Sequence, residues 1–475
     1  MQNTSYISCF ITRVMRYALR VTRAKGNIMM TVLISTSVLA VIGISLISVV
    51  MSQTKIFKLK KVKIYAIHIA EAGANYYKWH LAHSPEDYQD GTGGPGPYEH
   101  NYYDAYGKLI GQFSLNIVPP PTGTTVVEIT SKGYSNISAN ATRKIQIKYG
   151  KPSLTQYSFL TNSDIWLGPE ENASGPFHAN GGIRMDGTNN AEMTSAKETY
   201  ICTSGHGCDN EEKPGIWGTG PNFNLWKFPV SAVDFNLISM DLATIKNDAY
   251  VNGHYYPKSN KKGYHIIFHN NGSYTIHKVT GLQSAIWQLN DDWTKLTKEA
   301  EQIDNETEIG TYGMPSNGLI FVEDNLWVEG EINGRITVAS AEFPDVPNKN
   351  TNIIINNNIN YVSRNGDHIL GLIAQKNVKV PKHAPTDLQI DGFLLAQKGR
   401  VFRNYYSPRS IKNSIVVYGG IITNKIWTWS WVSGSGAVVD GYRTTNSIYD
   451  NDTKYSPPPG FPTSGEYDSI SWKEQ

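Results

Sequence analysis

The longest unbroken apolar stretch of the chain is Ile28–Met51, which holds no charged residue, no Pro and one Gly. At 1.5 Å per residue a helix over it reaches roughly 36 Å, enough to cross a hydrocarbon core of roughly 30 Å. A helix is the open segment that satisfies its own backbone in lipid. Ser35, Ser37, Ser45 and Ser48 do not line up as a polar stripe, which argues against a buried core helix. The run ends in SQTKIFKLKK rather than in the small residues of a secretory cleavage site. The pattern therefore predicts a retained membrane helix. Beyond it, Leu59, Val62, Ala66, Ile69, Gly73 and Tyr76 recur at alternating spacings of three and four, one helical stripe. No breaker intervenes before Ser84 and Pro85, so one helix is expected to run to about His83.

After a Gly/Pro-rich loop at Gly91–Pro97 the period changes to two. Lys108–Val118, Thr124–Gly133 and Ala141–Tyr149 read as strands separated by turn residues, an antiparallel meander that needs the helix to cover one face. Lys151 and Pro152 mark a boundary. From there the texture is of short apolar strands broken by Gly and Asn, at Asn162–Gly187 and again from Gly318 onward. Tight polar corners recurring over roughly 20–25 residues suit the coils of a parallel β-helix or solenoid. A sandwich or jelly roll built from the same strands is the alternative. Ile320, Leu326, Ile336, Ile354, Leu372 and Leu394 are the expected interior. An α+β insertion is expected at about 189–317. It holds a hairpin, Tyr264–Val279 around Asn271 and Gly272, and an amphipathic helix, Leu282–Ile303, with Ile286, Leu289, Trp293 and Leu296 on one face. The fold class is thus α+β and mostly β: a basic leader (1–26), a long helix (27–83), a small antiparallel sheet (84–150) and a large β-rich passenger (151–475).

Two residue patterns sharpen this. Lys25 and Gly26 precede the apolar run, and Ala70, Glu71, Ala72 and Gly73 spell AEAG in the soluble half of the helix. Over about residues 23–83 the chain resembles type IV pilins and pseudopilins, and in the AEAG segment PilX-type minor pilins. The resemblance implies cleavage between Gly26 and Asn27, a single pass through a bacterial inner membrane with the C-terminal domain outside, and other pilin subunits and the pilus assembly machinery as partners. The chain departs from the family at Asn27, where Phe or Met is usual, and at Thr31, where major pilins carry Glu at mature position five. A subunit lacking that Glu is expected at a pilus tip. Val328–Val338 (VEGEINGRITV) also resembles the rungs of bactofilin-like β-helices.

Charge adds little. Lys and Arg number 43 against 41 Asp and Glu, a net +2, which gives no sign of a nucleic-acid partner. Arg13, Arg16, Arg20, Arg23 and Lys25 before the run match Lys55, Lys58, Lys60, Lys61 and Lys63 after it, so flanking charge does not orient the helix.

Candidate chemistry is sparse. Cys202 and Cys208 in CTSGHGC are expected to be disulfide-bonded outside the cytoplasm. The alternatives are free thiols, or a zinc site of Cys202, His206 and Cys208 completed by His178 or Asp209. His265 and His269 share strand parity with His277 opposite, which reads as a polar face rather than a metal site. Asp324, Glu329, Glu331, Asp367, Asp387 and Asp391 keep no consistent coil offset, so no catalytic residue, metal or cofactor is expected. Trp427, Trp429 and Trp431 share one strand face and, if exposed, suit stacking on surface carbohydrate. The Pro-rich tail from Tyr455 is expected to lie along the body. These features point to a structural minor pilin or pseudopilin presenting a surface β domain for adhesion or assembly. The alternative is a membrane-anchored extracellular carbohydrate-active β-helix enzyme.

Overall fold

A computed structural model describes residues 28–121, 123–235, 237–433, 437–463 and 466–475; the leader, with Gly26 and Asn27, lies outside them. Helix α1 spans Ile28–His83 without a break. Its first half is bare, whereas Val62, Ala66, Ile69, Ala70, Gly73, Ala74, Tyr77 and Leu81 are buried against a sheet. Val62, Ala66, Ile69 and Gly73 belong to the stripe read from the sequence, whereas Leu59 of that stripe is exposed and Tyr76 is half-buried.

The sheet is antiparallel and five-stranded, in the order Tyr98–Tyr103, Leu109–Val118, Val126–Ser135, Ser138–Gly150, Asp468–Glu474. Its three middle strands lie where alternation placed them. The two outer strands extend that expectation: YEHNYY is too polar to announce itself, and the last strand comes from the C-terminal tail, which pairs Trp472 with Ile147. A core of Ile69, Tyr77, Leu81, Phe113, Leu115, Val127, Ile129 and Ile145 joins α1 to the sheet.

The rest of the chain is dominated by parallel ladders. Every ladder between two strands of 318–424 is parallel. The longest ladder runs His254–Tyr256, Leu319–Val322, Arg335–Ser340, Ile369–Ala374, Asp387–Ala396, Ile411–Thr423, Phe159–Thr161, Phe177–Ala179, Met193–Ser195, Trp226–Lys227. The chain thus enters the stack in its middle, climbs to one end at Trp226–Lys227, and crosses back to start again at the other. Helix α2, Leu237–Asn252, is the return strap. It is bound because strand residues on this face are apolar in both directions. Ile320, Val322 and Val338 point into the main core, while Leu319, Phe321 and Ala339 point outward and pack with Leu242, Ile245 and Ala249 of α2.

All six expected interior residues are buried, but Ile354 faces outward, under Val279 and Trp327. The expected hairpin is present as Gly263–His269 paired with Ser273–Leu282. The stretch expected to be an insertion holds the rungs Met193–Ser195, Trp226–Lys227 and His254–Tyr256. The helix expected over Leu282–Ile303 is a correction: Ile286–Leu289 and Leu296–Glu299 form an antiparallel hairpin instead. Asn290 Oδ1 accepts from the Thr294 and Lys295 amides and closes the turn, and Trp293 takes a left-handed φ of 59° there. Gln288, buried in that hairpin, accepts from Asn404 Nδ2 at 2.9 Å, a tertiary bond that the sequence spacing does not reveal.

Candidate functional site

The N-terminal half of α1 is an unpartnered apolar surface. Ile28, Leu33, Leu39, Ile44, Ile47 and Met51 are all exposed, and so is Thr31. Five of its hydroxyls are nonetheless satisfied within the helix. Ser35, Thr36, Ser37, Ser45 and Thr54 each donate to a carbonyl three or four residues back, at 2.8 Å. A helix long and apolar enough to cross a membrane, with no unmet side-chain donor at those positions, fits lipid as its solvent.

The AEAG segment lies where α1 meets the sheet. Ala70 is fully buried, and Gly73 lies so close that a Cβ there would sit 2.5 Å from Ser131 Oγ and 2.7 Å from Phe113 Cδ2. Glu71 is on the outer side, 3.1 Å from His68 Nδ1, and Ala72 is half-buried. From the sheet side, a Cβ on Gly133 would overlap the Ala66 carbonyl oxygen. Small residues on both partners therefore set the depth of docking. The sheet is fastened to the parallel ladders by Arg335, whose Nη2 donates to Gly123 O at 3.1 Å, Ser456 O at 2.8 Å and Pro457 O at 2.7 Å.

Cys202 and Cys208 are disulfide-bonded, closing the turn between Thr199–Cys202 and Glu211–Pro214. His206, buried beside them, gives its carbonyl to Arg184 Nη1 at 2.8 Å, and that guanidinium stacks on Trp166 and Trp217. His178 lies elsewhere, held by Thr194 and Asn180. Packing on neighbouring side chains takes up the tryptophan row, with Trp429 buried and Trp427 and Trp431 half-buried. Trp429 is 2% exposed, Trp427 meets Phe159 edge-on at 5.4 Å, and Trp431 packs on Trp293 at 4.8 Å.

Three of the acidic residues weighed for catalysis carry structural bonds. Asp324 accepts from Ser259, Asp387 from Asn413 and Ser414, and Asp391 from the Tyr361 amide and Arg364. A cavity of about 670 Å³ lies between Tyr157, His178, Glu192, Val230, Tyr449 and Lys454, but both nitrogens of His178 are already engaged.

The histidines of the hairpin are arranged differently from expectation. His265 pairs directly with His277, so the two share a face. The loop has three residues, Asn270 to Gly272, rather than the two of an Asn-Gly turn, and one residue of register exchanges the faces of a strand. An acidic partner, unseen in the sequence because it comes from strand Ile303–Gly313, completes the group: Glu306 Oε2 lies 2.9 Å from His265 Nδ1. Burial pulls the His265 pKa down, but Glu329 and Glu306 outweigh it and hold it above the usual value.

Other histidines respond oppositely. Burial, helped by Lys412 and opposed by Glu329, depresses His383 to about 4, and burial also lowers His178, His206 and His254. The unfolded chain takes up these protons near pH 6.5, and the folded chain does so only further down. Their contribution is therefore full above about pH 6.5 and lost as pH falls toward about 4, offset in part by His265. Thermal melts of the detergent-solubilised chain are expected to show that loss, with His383→Gln recovering about 2 kcal/mol of it. A flat profile across that window would contradict the assignment.

No known protein-family profile and no curated protein matches the chain. Among solved structures it is similar to the competence-associated pilin ComZ from Thermus thermophilus, with 10% identity and a TM-score of 0.27, over 87% of this chain and 98% of that one.

Proposed function

We propose that this chain is a minor, PilX-like type IV pilin or pseudopilin: a single-pass, non-enzymatic subunit of a filament, carrying its β-rich body outside the inner membrane for adhesion or assembly. The observation that supports this most is α1 itself, one continuous helix with a bare apolar half and a half set into an antiparallel sheet through Ala66, Ala70, Gly73 and Gly133. In a filament the bare half passes from lipid to the apolar halves of neighbouring subunits. The parallel ladders are read as a β-solenoid passenger, in keeping with the bactofilin-like rungs.

Thr31 supports a position at the filament tip. In this superfamily Glu at that place pairs with the freed amine of the neighbouring subunit, and a neutral hydroxyl does not replace a carboxylate in lipid. A subunit at the tip has no such pairing to provide for another above it, and the bulky passenger suits a tip better than a close-packed shaft. N-terminal sequencing of membrane-extracted protein tests the reading. A start at Asn27 is expected. A chain that still carries its leader in cells with an active prepilin peptidase would be a plain signal-anchored surface protein.

A further inference from the structure

A row of chemically matched side chains crosses three neighbouring strands of the hairpin region. His265 and His277 are direct cross-strand partners with ring centroids 5.9 Å apart, and Glu306 comes from the strand on the far side of His277. One donor atom from each of the three lies within 4.8 Å of the other two. Among the described residues no other group of three His, Cys, Asp or Glu side chains meets that limit.

The surroundings favour a ligand over a hydrogen-bonded row. The His265 side chain is only 5% exposed, and its Nδ1 already faces Glu306. Its Nε2 points to Glu329 Oε1 at 3.5 Å, too far for a good hydrogen bond. His277 Nδ1 is buried with no hydrogen-bond partner at all, an arrangement that costs free energy unless something fills it. Glu329 is in turn held by Asn356 Nδ2 at 2.9 Å, and Asn356 Oδ1 by His383 Nε2 at 3.0 Å. Two imidazoles with a carboxylate are a donor set for zinc-class ions. A carboxylate on the far nitrogen of a ligating His, itself fixed by a further bond, is how such ligands are oriented.

We propose that His265, His277 and Glu306 bind one divalent transition-metal ion of the zinc class, with Glu329 orienting His265 from behind and water completing the coordination. The ion pins strand Ile303–Gly313, most of whose residues are exposed, to the hairpin against which it lies. Its role is structural, a clasp on the outside of the ladders.

The test uses the full, untagged chain in detergent, freed of metal with a chelator, then titrated with Zn²⁺ by calorimetry and with Co²⁺ by visible absorption. One saturable Zn²⁺ per chain, a rise in Tm on binding, and Co²⁺ bands of low coordination number are expected. His277→Asn and Glu306→Gln should each abolish saturable binding, and Glu329→Gln should weaken it roughly 10- to 100-fold. His269→Ala should bind as the parent does, because His269 is held by Thr275 outside the trio. Melting each variant without metal shows whether it is folded. Glu306, whose side chain is 28% exposed, is the variant least prone to disturb the fold. An absence of saturable binding, or binding unchanged in Glu306→Gln, would overturn the site and leave His265 and Glu306 as an ordinary ion pair.

Discussion

Asp440→Ala is expected to lower stability by about 3–5 kcal/mol, because it strands a guanidinium in the interior. Asp440 and Arg403 are both fully buried, with Oδ1 to Nη1 at 2.8 Å. The carboxylate also accepts the Tyr406 amide at 2.6 Å, Ser410 at 3.1 Å and Gly441 at 2.8 Å, so it organises the loop from Asn404 to Ser410. Arg403 has other contacts, Nη2 to Ser410 O at 2.9 Å and stacking on Tyr406, but it pairs with no second carboxylate among the described residues. Asp440→Asn keeps one of the two acceptor oxygens and should cost less. The double change Arg403→Met with Asp440→Leu should recover much of the loss, since an apolar pair needs no desolvation of charge. Denaturant midpoints of the four proteins check this; a double variant no more stable than Asp440→Ala would mean that the stranded charge is not what matters. The loop at stake carries Tyr406 and Ser407, which pair with Trp287 and Gln288 of the outer hairpin, so local proteolysis there should rise in parallel.

How much of this was legible in the sequence depends on whether a pattern is local. The long helix, the three-strand meander and the Tyr264–Val279 hairpin announce themselves by period and turn residues within a dozen positions. The parallel pairing of 318–424 follows from short strands and tight corners. The path of the passenger does not. Nothing in Phe159–Thr161 says that its partner on one side is Ile421–Thr423, because that contact is made by two apolar triplets hundreds of residues apart. Helix α2 was invisible for a related reason: the outward residues that bind it, Leu319 and Phe321, read as one more buried strand. The stretch Leu282–Ile303 was misread because Ile286, Leu289, Trp293 and Leu296 satisfy a helical period by chance, while Asn290 closing its own turn decides the outcome. The hairpin histidines show how sharp the limit is. A third loop residue moves His277 to the face of His265, and a strand far along the chain supplies Glu306.

The helix and sheet also make a prediction about the anchor, and it separates membrane insertion from folding. Gly133→Val is expected to destabilise the sheet unit by at least about 3 kcal/mol, since a side chain must be placed where two backbones already touch. Its Cβ would overlap the Ala66 carbonyl oxygen and lie 2.6 Å from the Ala70 amide nitrogen, atoms of a helix backbone that has no rotamer to change. Relief requires α1 to lift from the sheet, which uncovers Ile69, Tyr77 and Leu81 on one side and Leu115, Val127 and Ile129 on the other. At about 25 cal/mol per Å² of apolar surface, exposing several such side chains costs more than the clash it relieves, so both outcomes are destabilising. The bare half of α1 makes no contact with the sheet, so the variant should still fractionate with membranes. Trypsin should then cut the soluble half of the helix at Lys63 and Lys78 faster than in the parent. Gly94→Ala serves as the control, because nothing lies within 4 Å of a Cβ there and its φ is ordinary. A Gly133→Val protein that resists trypsin as the parent does would show that α1 is not docked at this depth, and the pilin-like reading of the sheet would lose its main support.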